Sequence, residues 1–152
     1  MTRLTFEPAS ASSVNLGCLT SSTLVGNKRK GKGMAHQAEA LLEQYISFWN
    51  ERDEQIRKAT FPSTFTPDAT YQDPRVHQVS GFEAINALVE AFHSGYDGAR
   101  FTLTGIIGVH PEAVLFGWSL AATPSVPASA GYDVAYLSDD RISGLVGFNG
   151  VN

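Results

Sequence analysis

The spacing of apolar residues changes period once, close to residue 100, and that change decides what this chain can fold into. Before it, Leu41, Leu42, Tyr45, Ile46, Phe48 and Trp49 recur at helical spacing, as do Phe82, Ile85, Val89 and Phe92. Each set forms one stripe of an amphipathic helix. Beyond it, Phe101, Leu103, Ile107 and Val109 alternate with Thr102, Thr104 and Gly108, and Val114, Phe116, Trp118 and Leu120 alternate after "HPE". That two-residue period belongs to strands. Helices followed by a run of strands define an α+β class, with the helices packed on one face of a curved antiparallel sheet. Such a sheet, cupped around helices, makes a cone whose mouth can take a small ligand.

The connecting stretches fix the element order. Asn50 and the charged "ERDE" mark where the first stripe loosens, and a short helical turn through Ile56 follows. "FPSTFTPD", with two prolines among small polar residues, reads as loop. Thr70, Tyr71 and Gln72 form a short strand that meets Asp73 and Pro74, a pair suited to ending it. Ser80 with Glu83 three residues on fits a capping box at the start of the second long helix. Later, "TPSVPAS" is a loop, "GYDVAYL" a strand, "SDD" a tight turn and "RISGLVGF" the last strand.

With 152 residues, 43% of them hydrophobic, the chain has material for one domain and one core. Charge divides it unevenly. Residues 1–33 hold Arg3, Lys28, Arg29, Lys30 and Lys32 against Glu7, so their net charge is +4 within a chain of net −4, leaving −8 on the rest. An acidic body excludes a phosphate-backbone partner for the folded part. Residues 1–33, rich in Ser and Thr and without apolar periodicity, are expected to be a disordered leader to a domain over 34–152. A transit segment or a basic address at Lys28–Lys32 are the alternatives. Cys18 is the single cysteine, so no intrachain disulfide can form, and a reducing, cytoplasmic setting is expected. No apolar run approaches the ~20 residues of a membrane-spanning helix, so no membrane partner is expected.

"YISFWNERD", "FTPDATYQDP" followed by "SGFEAINALVEAF", and "GYDVAYLSDDRISGLVGF" together resemble the nuclear-transport-factor-2-like superfamily, over roughly Ala35–Phe148. This group includes the SnoaL-like (polyketide-cyclase-like) proteins and ketosteroid isomerase. The resemblance implies a hydrophobic pocket, chemistry without cofactor or metal, and a homodimer formed through the sheet. Residue by residue, Tyr45 stands where the isomerase keeps a phenol, Asp73 where it keeps its general base, and Asp133 where it keeps a second acid beside the phenol. The link from Asn50 to Asp73 is about four residues longer than in that pattern, around "FPST".

Chemically, moving a proton from carbon beside a carbonyl needs a carboxylate within reach and donors aimed at the developing enolate oxygen. Asp73 is expected as base, with Tyr45 and a protonated Asp133 as donors. In a cyclase-like variant Asp133 is itself the acid or base. Strand alternation puts Asp133 on the side of Ala135 and Leu137, and burial there would raise its pKa. Each residue also has a plain structural reading: Tyr45 as core, Asp73 as a strand end, Asp133 as a solvated side chain. Trp49, Trp118, Phe116 and His77 are expected to line the pocket. The four histidines, His36, His77, His93 and His110, are scattered without ligand spacing, which gives no metal site. The expected function is double-bond isomerisation or aldol-type cyclisation of a small hydrophobic carbonyl compound. The competing expectation is a non-catalytic ligand-binding, dimerisation or adaptor module.

Overall fold

A computed structural model describes residues 22–150, with side chains from Gly33 onward. Helix α1 (Ser22–Asn50) is followed by α2 (Glu54–Thr64), strands β1 (Phe65–Asp73) and β2 (Val76–Ser80), helix α3 (Gly81–Gly95), and strands β3 (Phe101–His110), β4 (Ala113–Leu120), β5 (Ser129–Ser138) and β6 (Arg141–Asn149). The strands form one curved, unclosed sheet in the order β2-β1-β6-β5-β4-β3. Every pairing is antiparallel except β1 with β6, which is parallel. Helix α1 starts within the span expected as leader, and residues 1–21 of that span lie outside the described residues.

The helices lie in the hollow of the sheet because their apolar stripes have nowhere else to bury. Leu42, Tyr45, Phe48 and Trp49 of α1 and Ile85, Val89 and Phe92 of α3 are all buried in one core, where Trp49 meets Phe92 edge-on at 6.1 Å. Phe65 stacks on Phe61 with centroids 4.7 Å apart and meets Phe48 edge-on at 5.2 Å, closing the narrow end of the cone with aromatic surface. Asn50 pins the end of α1 to the start of β3: its Nδ2 donates to the Phe101 carbonyl at 2.9 Å, and its Oδ1 accepts from the Phe101 N–H at 2.8 Å.

Several local readings of the sequence are corrected. "FPSTFTPD" is not loop: it forms the last turn of α2 and the first part of β1. Pro62 falls near the helix end, and Pro67 falls where the β1–β6 register shifts between Phe65 and Thr70, so neither interrupts an intact ladder. The buried Phe61, Thr64 and Phe65 hold the segment in place. Strand β2 was not expected, since its exposed polar residues show little alternation; it pairs with β1 across the turn at Asp73–Val76. The capping box does not form, because the Ser80 hydroxyl donates to the Asp68 carbonyl at 2.9 Å instead of capping α3.

One buried charge has no counterpart among the sequence expectations. Arg57 of α2 is 0% exposed. Its Nε donates to Asn86 Oδ1 at 2.7 Å, one terminal nitrogen donates to the Glu51 carbonyl at 2.7 Å, and the other pairs with Glu90. A guanidinium can be buried only when its donors are satisfied, and here the partners come from α3 and from the end of α1. The three helices are tied together at that point.

Candidate active site

The wide end of the cone holds a cavity of about 220 Å³. Its floor is built by neighbouring strands. Asp133 on β5 pairs with Gly147 on β6, and Gln72 on β1 pairs with Val146, so Asp73 comes beside Gly147 from the other side. A Cβ at Gly147 would lie 3.2 Å from both Asp133 Oδ1 and Asp73 Cβ. The glycine thus leaves room for two carboxyl groups to share one floor.

Asp133 shares its strand face with Gly131 and Ala135, and of the two sides that alternation left open this is the inward one, with Asp133 4% exposed. Two donors reach it: Tyr45 Oη donates to Oδ2 at 3.3 Å, and Trp118 Nε1 donates to Oδ1 at 2.8 Å. Burial raises its pKa from 3.8 to about 6, against the lowering effect of the Trp118 and Tyr45 hydrogen bonds; the nearby Asp73 charge adds to the rise. Burial also holds the Tyr45 phenol well above its ordinary range, helped by the negative Asp133, while the indole of Trp49 works in the opposite direction. Trp49 lines the cavity, and its buried Nε1–H makes no hydrogen bond of full geometry among the described residues, although it lies close enough to the Tyr45 oxygen to act on it. Trp118 keeps its place because Gly131 lies opposite it in the sheet. A Cβ there would fall 2.4 Å from the indole.

Asp73 is both a turn residue and a lining residue. Its Oδ1 accepts the Arg75 N–H at 2.7 Å and the Val76 N–H at 2.9 Å, closing the β1–β2 turn. Its Oδ2 accepts from Tyr71 Oη at 3.1 Å within the cavity lining. The Tyr71 phenol is shifted upward by burial and then by the Asp73 charge. Tyr71 was not singled out in the sequence, although its place two residues before Asp73 puts both on one strand face.

Of the four residues expected to line the pocket, Trp49 and Trp118 do so. Phe116 does not: it is paired with Asp133 in the floor row but lies under α1, against Tyr45 at 5.8 Å, and is 0% exposed. His77 does not either. Val76 points into the cavity, and the next residue along a strand points out, so His77 is exposed on the far side of β2. The site therefore has two Tyr–Asp pairs, Tyr45–Asp133 deep and Tyr71–Asp73 nearer the turn, with two indoles beside the deep pair.

The chain belongs to the SnoaL-like domain family, whose model matches residues 42–144. Among solved structures, a proposed isomerase of the SnoaL-like family from Agrobacterium tumefaciens is 29% identical, with a TM-score of 0.68 over 76% of this chain and 99% of that one. A proposed ketosteroid isomerase from Kribbella flavida is 18% identical, with a TM-score of 0.59 over 78% and 81% of the two chains. A proposed polyketide cyclase from Xanthomonas campestris is 13% identical, with a TM-score of 0.57 over 76% and 92%. The last two share the fold. No protein of curated function matches the chain.

Proposed function

We propose that this protein is a proton-transfer enzyme of the SnoaL-like kind, acting without a cofactor on a small hydrophobic carbonyl compound. The chemistry is double-bond isomerisation or aldol-type cyclisation, and Asp133 carries the proton. The observation behind this is the setting of Asp133, a carboxyl at the floor of an aromatic-walled cavity with a pKa near 6 and two donors trained on it. A base works best when its pKa lies near the working pH.

Of the two role assignments expected from the sequence, the geometry favours Asp133 as the acid or base itself. Tyr45 and Trp118 both donate to its oxygens, which equips it as an acceptor. As Asp133 takes a proton from the carbon beside the carbonyl, negative charge leaves it and builds on the substrate oxygen. The Tyr45 hydroxyl then has reason to turn from Asp133 to that oxygen, and the unsatisfied N–H of Trp49 offers a second donor. Asp73, with Tyr71 bonded to one oxygen, is the second carboxylate, placed to accept or return the proton at another carbon.

A homodimer is part of the same proposal. Tyr132, Tyr136 and Leu115 project from the convex face of the sheet, which no helix among the described residues covers, and Tyr132 and Tyr136 are each 49% exposed.

The test is deuterium exchange in D2O at the α-carbon of small cyclic ketones and enones, followed by NMR. Wild type should exchange saturably, and Asp133→Asn should lower the rate by roughly 10²–10⁴-fold. Exchange that persists in both Asp133→Asn and Asp73→Asn would refute the assignment. Binding of the ketones without any exchange would favour a ligand-binding module.

A further inference from the structure

The mouth of the cavity carries a cation that the proton-transfer reading leaves unused. Arg75 sits in the β1–β2 turn, exposed, and contributes to the cavity lining. Among the described residues the ion pairs are Arg52–Asp97 and Arg57–Glu90, so no described carboxylate pairs with Arg75. It is nevertheless held from two directions. Its backbone N–H is fixed by Asp73 Oδ1 at 2.7 Å, and its Nη1 donates to Tyr96 Oη at 3.2 Å. Tyr96 in turn stacks on Phe92, with ring centroids 5.5 Å apart and planes 19° from parallel. The remaining donors of the guanidinium fork have no partner among the described residues.

That arrangement orients whatever enters. Asp133 and Asp73 at the floor repel an anion, while the tethered guanidinium at the mouth attracts one, in a body whose net charge is otherwise negative. A guest with one anionic end would settle with that end outward and its uncharged end against Asp133. Arginine's planar fork suits a carboxylate, which it can bind with two parallel hydrogen bonds. The volume of about 220 Å³ falls below the ~300–1,000 Å³ of pockets for drug-sized ligands, which limits the guest to one or two rings.

The geometry points to a substrate class within the function proposed above, on which this inference rests: small cyclic keto acids or enone acids, whose carboxylate is bound by Arg75 at the cavity mouth. Arg75 is then the residue that sets specificity and entry direction, and Asp73 has a second task, holding Arg75 in place through the turn.

The experiment uses two probes of the same shape, 6-hydroxy-2-naphthoate and 6-hydroxy-2-naphthamide. Each offers a phenol to the Asp133 end and differs only in charge at the other. Affinities are measured by titration calorimetry at pH 7 and low salt for wild type, Arg75→Gln and Arg75→Lys. Wild type should bind the naphthoate about tenfold more tightly than the amide, with the preference shrinking as salt screens the exposed cation. Arg75→Gln should reduce the preference to within twofold while amide binding holds, and Arg75→Lys should fall between. Equal binding of the two probes by wild type, or a preference that survives Arg75→Gln, would overturn the role of Arg75 and leave the cavity reading standing. Failure of wild type to bind either probe would count against the cavity reading, and the Arg75 assignment would fall with it.

Discussion

At Asp133 the role proposed for it and the stability of the fold pull in opposite directions. Its pKa rises from 3.8 to about 6 on folding, so the native state holds the proton more tightly than the unfolded chain does. The stabilisation from this is fully present below pH 3.8 and is lost as pH climbs to about 6, above which the fold carries a desolvated charge. The size is roughly 3 kcal/mol at most. Asp133→Asn has no such charge, so its stability relative to wild type should grow by up to that amount between pH 4 and pH 7 in urea unfolding. Parallel curves for the two proteins would show that the carboxyl is not desolvated. That Asp133 shares a strand side with Ala135 was legible in the sequence, because alternation assigns sides without knowledge of neighbours, whereas which side faces inward was not. Its partners were less legible. That Trp118 reaches Asp133 depends on Gly131 leaving space across the sheet, and that Asp73 and Asp133 share a floor depends on Gly147. Both are facts of strand register, which one sequence does not display.

At the scale of elements, α2 is held to its neighbours by buried polar contacts as well as by Phe61, which packs on Phe48, Phe65 and Phe82. Arg57 satisfies Asn86 on α3 and the Glu51 carbonyl at the end of α1, and its own charge is met by Glu90, whose side chain is 55% exposed. Replacing it with methionine keeps bulk but leaves the buried Asn86 amide oxygen without a donor, at a cost of about 1–3 kcal/mol, while the Glu51 carbonyl keeps His93 Nε2 at 3.1 Å. Arg57→Met should therefore lose about 1–3 kcal/mol in denaturant unfolding. A loss below 1 kcal/mol would mean that water or a helix shift replaces the network. Helices α1 and α3 were readable because long apolar stripes repeat over several turns. The reach of α2 and β1 through "FPSTFTPD" was hidden by its prolines, which are tolerated here at a helix end and at a register shift. Strand β2 exists because the Asp73 turn folds it back on β1, and its own residues carry almost no period.

Over the described residues the molecule is a cone, with helices on its concave face and none on its convex one. The change of apolar period near residue 100 foretold this division, since helices with one apolar stripe must cover one side of the sheet. The proposed homodimer would use the other side. Tyr132 pairs with Gly117 and Phe148, and Tyr136 with Ala113 and Gly144, so Tyr132 stands beside the half-exposed Phe148 and both tyrosines have a small residue on the β4 side. Tyr132→Lys with Tyr136→Glu should convert a dimer to a monomer in sedimentation while leaving the cavity intact. A wild type that sediments as a monomer at micromolar concentration would remove the dimer from the account. The claim on which the functional reading turns is that the cone holds a carboxyl at its floor with a pKa matched to neutral chemistry. Its most direct test is a carbon NMR titration of the aspartate carboxyls, with the Asp133 resonance identified by its absence in Asp133→Asn. The expected result is a resonance titrating near pH 6, in a protein whose fold is unchanged. Titration near the ordinary ~4 would contradict the claim and leave the cavity as a place for binding alone.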